Sequence, residues 1–342
     1  MNDSLERGQA AVPTAPSAPG MDADEFRSTA RAIERAIGEV IVGQDELVRL
    51  TLTALLSGGH ALLEGVPGLG KTLLMRTLAE VIDGHFSRIQ FTPDLMPADI
   101  LGTLVLYEQP DGGRSFRFEP GPVFANFVLA DEVNRATPKT QSALLEAMQE
   151  CTVTAGKTTY RLPEPFFVLA TQNPLEMEGT FPLPEAQLDR FALKLDVTYP
   201  TLEELTEIAA RTTGHAPAAR TAVTDVETVR AMARLAREVP IAREVLSYAA
   251  RLVRATHPTD PNAPPTAREF VRYGASPRGL QAIVVGAKIG ALLEGRHHVS
   301  RSDIRSIAAP ALRHRLILNF TGQAEGVEPD HVIGDIVRVV AE

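Results

Sequence analysis

Gly65-Val66-Pro67-Gly68-Leu69-Gly70-Lys71-Thr72 follows the pattern G-x-x-x-x-G-K-[ST], a glycine-rich turn whose backbone N–H groups face inward around phosphate. Ala61-Leu62-Leu63, just ahead of it, is a short apolar run suited to a buried strand. From Leu73 to Val81, residues Leu74, Leu78 and Val81 share one helical face. Strand, glycine loop and helix is the order that phosphate binding requires, because the helix N-terminus then lies under the anion. The candidate cradle comprises Gly65, Val66, Pro67, Gly68, Leu69, Gly70, Lys71, Thr72 and Leu73. In it Lys71 supplies a point charge for the β/γ-phosphates and the Thr72 hydroxyl is a candidate ligand for Mg2+.

A second segment supplies what the first lacks. Phe127-Val128-Leu129-Ala130 reads as a buried strand, and Asp131-Glu132 follows it directly. Asp131 is a candidate Mg2+ ligand acting through water. Glu132 is a candidate for polarising an attacking water. Asn173 follows another apolar run and would face the terminal phosphate, since ligands of open α/β sheets gather beyond the carboxyl ends of the strands. Arg190 stands just ahead of a further strand, where a guanidinium can stabilise charge on a neighbouring subunit's nucleotide. Ser276-Pro277-Arg278 reads as the N-cap and first two residues of a helix, with Arg278 ready for phosphate.

Five strand candidates, 61–63, 86–91, 127–130, 166–170 and 191–197, are apolar almost throughout, and most alternate with helical stretches. That is the pattern of a parallel sheet covered on both faces. Two hairpins interrupt it, one at 104–118 around Pro110-Asp111-Gly112-Gly113 and one at 152–161 around Ala155-Gly156-Lys157. Beyond Tyr199-Pro200 only helices are expected, at 241–256, 278–294, 302–312 and 332–341, with another started by a capping box Thr224-x-x-Glu227. The expected organisation is a disordered leader over 1–22, an α/β nucleotide-binding domain over 23–200 and a helical domain over 201–342. Leu56-Ser57-Gly58-Gly59 resembles a transporter-ATPase signature but precedes the phosphate loop, so it reads as a helix end and a glycine turn.

With 342 residues, 44% hydrophobic, the chain can bury a core of two-domain size. A net charge of −9 argues against a dedicated nucleic-acid surface. Cys151 is the only cysteine, so no intrachain disulfide forms, and a small half-buried role is expected for it. His297 and His298 are adjacent and point to different faces, which makes a poor metal pair. No signal-peptide layout opens the chain, and Leu280–Leu293 is too short to span a bilayer. A cytoplasmic protein is expected.

Together these residues resemble an AAA+ ATPase, and more closely the MoxR family. Gly65–Thr72 is similar to Walker A and Phe127–Glu132 to Walker B. Asn173 matches sensor 1, Arg190 the arginine finger and Arg278 sensor 2, while Val42-Gly43-Gln44 resembles the segment that borders the adenine. Asp131–Ala136 and Gly179–Phe191 are close to MoxR wording. The resemblance implies ATP/ADP and Mg2+ as ligands, a sheet order of 5-1-4-3-2, a helical lid and a hexameric ring. It also implies chaperone-like remodelling or maturation of proteins, including metal-cofactor insertion, with a partner bearing a von Willebrand factor A domain. A nucleic-acid-dependent motor and a metal-chelatase motor subunit are the alternatives. Against the motor, the first hairpin balances Glu108, Asp111 and Glu119 with Arg114 and Arg117.

Overall fold

Helix α1 (Ala23–Gly38) starts where Asp22 accepts the Glu25 N–H at 2.8 Å, and it buries Phe26, Ala30, Ile33 and Ile37 along one stripe. Helix α2 (Asp45–Leu56) follows and ends in the glycine turn at Gly58, φ +69°. The computed structural model describes residues 21–66, 68–108, 113–173, 179–213 and 221–340. Pro67 of the phosphate loop, Pro110-Asp111-Gly112 of the first hairpin turn, Pro174 and the expected leader up to residue 20 lie outside the described residues.

The chain then runs β1 (Ala61–Glu64), α3 (Lys71–Val81), β2 (Phe86–Gln90), α4 (Pro97–Leu101), the hairpin β3 (Gly102–Glu108) and β4 (Arg114–Pro120), β5 (Phe127–Asp131) and α5 (Pro138–Glu150). A second hairpin, β6 (Thr152–Ala155) and β7 (Thr158–Arg161), leads to β8 (Phe167–Gln172), the single turn α6 (Glu185–Leu188) and β9 (Leu193–Asp196). Strands β2, β5, β8, β1 and β9 pair in that order, all parallel. Counted along the sheet strands alone, this is the expected 5-1-4-3-2.

Side-chain alternation explains why the central strands β1, β5 and β8 are apolar almost throughout. Ala61, Leu63, Phe127, Leu129, Phe167 and Leu169 join the core beneath α1, α2 and α3. Leu62, Val128, Ala130, Val168 and Ala170 join a separate core beneath α4 and α5. Both faces of the sheet are therefore dry, as parallel strands require. β1 lies between β8 and β9, so the loop at its carboxyl end is mounted on a fully buried strand.

The remaining elements are α7 (Leu202–Thr212), α8 (Val226–Glu238), α9 (Arg243–Ala255), α10 (Pro265–Phe270), β10 (Val271–Tyr273), α11 (Pro277–Leu293), α12 (Arg301–Leu312), β11 (Ile317–Leu318), α13 (Phe320–Ala324) and α14 (Pro329–Val340). Their core is continuous with the first face of the sheet through Val229, Leu252, Ile283 and Ile304.

Several expectations need correction. A two-stranded antiparallel ribbon, β10 with β11, sits among helices expected to be alone. Three and two residues are too few for a period-2 pattern to register. Helix α8 is capped by Asp225, which accepts the Thr228 N–H at 2.7 Å, and not by Thr224. One residue of shift puts Glu227 out of reach for a capping box. Capping boxes in this region are instead Thr201 with Glu204, at the start of α7, a helix the periodicity did not reveal, and Ser300 with Asp303, at the start of α12. Cys151, expected half-buried, is exposed and closes α5 with φ +51°.

Candidate functional site

Gly68 and Gly70 take φ +87° and +77°, a left-handed backbone that only glycine adopts without strain, and a Cβ at either would meet open space. The requirement is therefore conformational, not steric. Gly70 is the N-cap of α3, and Lys71 is its first residue. The Lys71 ammonium donates to the Gly65 carbonyl. Burial pushes its pKa down, while Asp131, Glu132 and Glu64 pull it back up. The loop lysine and the two carboxylates are thus electrostatic neighbours, although they are distant in sequence.

Asp131 ends β5, and both its oxygens are engaged. Oδ1 accepts the Thr171 hydroxyl at 2.6 Å, and Oδ2 pairs with Arg88 at 2.6 Å. Thr171 Oγ1 also accepts the Glu132 N–H at 2.9 Å, so this buried threonine of β8 fixes both acids. Glu132 has φ +58°, uncommon for a residue with a side chain and costing on the order of 1–2 kcal/mol. Its carboxylate accepts from Gln90 Nε2 at 2.9 Å and pairs with Arg135 at 2.9 Å. Arg88 also donates to Gln90 Oε1 at 2.7 Å, which closes the ring of contacts.

Asn173 is buried and follows Gln172. Gln172 stands opposite Glu64, and its carbonyl accepts the Gly65 N–H at 3.4 Å. Asn173 therefore lies at the level where the phosphate loop begins. Between α1 and α2, Gly43 takes φ +70°, and a Cβ there would fall 2.1 Å from the Glu204 carboxylate of α7. Gln44 Nε2 donates to Thr198 O at 3.1 Å, so the turn Val42-Gly43-Gln44 is pinned where the sheet passes into α7. A cavity of about 980 Å3 opens beside it, lined by Arg31, Glu34, Asp45 and Arg211 and by none of the loop residues. It is a surface recess with no phosphate-facing backbone.

The two arginines are held elsewhere. Arg190 donates to the Leu145 carbonyl of α5 at 2.8 Å. Arg278 lies in the first turn of α11, where Ser276 is the N-cap and Pro277 the first residue, as expected. Its guanidinium is 3.5 Å from Asp189. The structure therefore brings together Gly65, Lys71, Asp131, Glu132 and Asn173, and places Arg190 and Arg278 against other partners.

Sequence reading missed Arg88, Gln90 and Thr171. Arg88 and Gln90 alternate with Ile89 on β2, which was the available signal, but only the pairing of Gln90 with Asp131 shows what they face. Among the described residues no group of three or more His, Cys, Asp or Glu could hold a metal. Asp131 with Thr72 fits an ion that arrives already coordinated by phosphate, since Mg2+ keeps most of its water and takes one or two protein ligands. Arg88 is the cation paired with Asp131 Oδ2, and an incoming magnesium would replace it there.

Residues 60–193 match the ATPase family associated with various cellular activities (AAA), and residues 265–336 match the AAA lid domain. The chain is 44% identical over 337 residues to "Chaperone MoxR1" of Mycobacterium tuberculosis, covering 98% of this chain and 88% of that protein. It is 32% identical over 338 residues to "Protein MoxR" of Methylorubrum extorquens, covering 93% and 95%. A solved structure, a putative ATPase from Cytophaga hutchinsonii, superposes with a TM-score of 0.86 at 42% identity, covering 92% of this chain and 95% of that one.

Proposed function

The chain belongs to the MoxR family of AAA+ ATPases, and on that premise we propose that it hydrolyses ATP at the Gly65–Thr72 loop to drive chaperone-like remodelling of partner proteins. The observation that carries this reading is the chain of contacts linking the loop to the acids: Lys71 bonds the Gly65 carbonyl, Gly65 follows β1, whose Leu63 pairs with Thr171, and Thr171 bonds both Asp131 and Glu132, beside a loop in left-handed glycine geometry. Backbone N–H groups of the loop and the α3 N-terminus hold the phosphates, and Lys71 neutralises the β/γ oxygens. Thr72 and Asp131 hold the magnesium of Mg·ATP, which supplies charge neutralisation on the β/γ-phosphates. Glu132 orients the attacking water, and Asn173 stands beside the terminal phosphate.

Gln90 and Arg135 both engage Glu132 through Oε2, and the other carboxylate oxygen, Oε1, is the one assigned to the attacking water. Arg190 serves a neighbouring subunit's nucleotide, and Arg278 reaches phosphate from the lid. Both roles need a ring, for which a hexamer is the proposed state. Val42-Gly43-Gln44 borders the adenine and transmits its position to α7 through Glu204. The proposed domain division stays at residues 23–200 for the α/β part and 201–342 for the lid.

A protein client suits the exposed hairpin better than nucleic acid. Leu104, Leu106, Tyr107 and Phe116 of β3 and β4 are exposed. Arg114 pairs with Glu108 at 3.1 Å and Arg117 with Glu119 at 3.8 Å, so the hairpin's arginines are neutralised in place. A strand tracker needs uncompensated positive charge. A partner with a von Willebrand factor A domain and clients that receive metal cofactors remain part of the proposal. No described helix is long and apolar enough to cross a membrane.

The test is a trap. Glu132→Gln is expected to bind Mg·ATP with parental affinity in calorimetry and to hydrolyse it about 10²–10³-fold more slowly. Held in the ATP state, it should co-purify with its client. Absence of heat with Mg·ATP at any concentration of the pure parent protein would overturn the proposal.

A further inference from the structure

Asp189 receives more than a helix-terminal aspartate needs. It is the residue after α6 and immediately precedes Arg190. Its Oδ1 accepts from Arg315 Nε at 2.7 Å, and the Ser276 hydroxyl lies 2.9 Å from both carboxylate oxygens. Ser276 is at the same time the N-cap of α11, accepting the Arg278 N–H at 3.1 Å. Arg278 itself is the loosest partner, at 3.5 Å with its side chain 52% exposed.

Arg315 continues the contact along the chain. Its guanidinium donates to the carbonyls of Asp189 at 3.1 Å, Phe191 at 2.7 Å and Ala192 at 3.1 Å. The side chain is 3% exposed, so a buried cation grips the main chain on both sides of Arg190. The neighbouring His314 ring also bonds the Phe191 carbonyl, at 3.0 Å. Arg190 thus has its backbone held by the region after α12, while its guanidinium rests on α5. Asp189 is where that clamp meets the first turn of α11.

The three partners differ in strength, and the difference has a direction. A buried Arg–carboxylate pair with satisfied donors is hard to break, because separation strands a charge away from water. A half-exposed pair at 3.5 Å is worth little and exchanges readily for a denser anion such as phosphate. Arg278 can therefore leave Asp189 while Ser276 and Arg315 stay.

We propose that Asp189 is a positioning residue that holds Arg278 until phosphate competes for it and, through Arg315, fixes the segment carrying Arg190, so that the lid and finger arginines move as one unit. The inference rests on the reading of Arg190 and Arg278 given above. When phosphate draws the Arg278 side chain away, α11 moves with Ser276 still bonded to Asp189. The Ser276 and Arg315 contacts carry that shift into the mount of Arg190 and so toward the adjoining subunit.

Asp189→Asn removes the charge and keeps the shape. It is expected to lower kcat roughly tenfold, the scale of a small misplacement of a catalytic group. Affinity for ATP, measured in calorimetry, should be unchanged or tighter, because Arg278 loses its competing partner. Asp189→Glu should recover part of the rate. Should Asp189→Asn fail to fold because Arg315 is left uncompensated, the pair Asp189→Leu with Arg315→Met removes both charges and is expected to show the same split of kcat from affinity. Parental kcat in either soluble variant, or affinity and kcat falling in proportion, would overturn the proposal. Arg190→Ala and Arg278→Ala serve as references. If they are impaired while the Asp189 variants are not, only this inference fails. If both references turn over at the parental rate, the reading beneath it fails.

Discussion

The phosphate loop follows β1 and the Asp189 junction precedes its neighbour β9, and the two are put together in opposite ways. The loop is written in consecutive residues, Gly65 to Thr72, between the strand β1 and the helix α3. The junction brings to Asp189 a hydroxyl from 87 residues away and a guanidinium from 126 residues away. The loop can form wherever its glycines can turn, whereas the junction exists only once the helical region has packed on the sheet. The loop is thus a local feature, and the Asp189 junction a global one.

That contrast can be broken at either end. Lys71→Ala carries the largest expected effect. The loop keeps its backbone but loses its cation, and heat of Mg·ATP binding in calorimetry should vanish while the melting temperature stays within a few degrees of the parent's. Arg190→Ala attacks the link between the regions. Turnover should fall by up to about 10³-fold, with nucleotide affinity largely intact. Normal turnover would show that Arg190 does not serve a neighbour's nucleotide.

A smaller effect concerns the strand that carries the loop. His60, just ahead of β1, is buried, with one ring nitrogen 3.0 Å from Met148 O and the other accepting the Val168 N–H at 3.1 Å. Burial pushes its pKa down from 6.5 to about 4. Between those values the unfolded chain binds the extra proton and the folded chain does not. Stability should therefore fall as pH drops from 6.5 toward 4, by roughly 3 kcal/mol. Urea titrations of His60→Gln across that window should lose much of this slope, and an unchanged slope would assign the acid sensitivity elsewhere. The smallest effect sharpens the reading of the helical region. Asp225→Ala should cost about 1 kcal/mol, while Thr224→Ala should stay within about 0.5 kcal/mol. The reverse order would restore Thr224 as the cap of α8.

Much of the α/β part was legible because its central strands β1, β5 and β8 are buried on both faces and so read as plain apolar runs. The expected strand at 86–91 ends at Gln90, 166–170 shifts to Phe167–Gln172, and 191–197 shrinks to Leu193–Asp196. The strand order came through the resemblance to AAA+ ATPases, since periodicity carries no information about which strands are neighbours. In the helical region Asp225 and Thr224 are both good caps, and only the position of the first turn chose between them. Thr171, Arg88 and Gln90 looked like ordinary strand residues, and their role depends on strands β2, β5 and β8 lying side by side.

Glycines at Gly68 and Gly70, a lysine at the head of a helix and two acids after an apolar run were enough, in the linear chain, to specify a phosphate-binding ATPase. Those features act through bonds to their immediate neighbours, and local geometry is written residue by residue. The partners of Asp189, the grip of Arg315 on the segment around Arg190 and the engagement of Glu132 by Gln90 had to await the folded chain. Each of these joins groups whose proximity is set by burial of the shared core, and a hydrophobic driving force without direction leaves no positional signature in the order of residues.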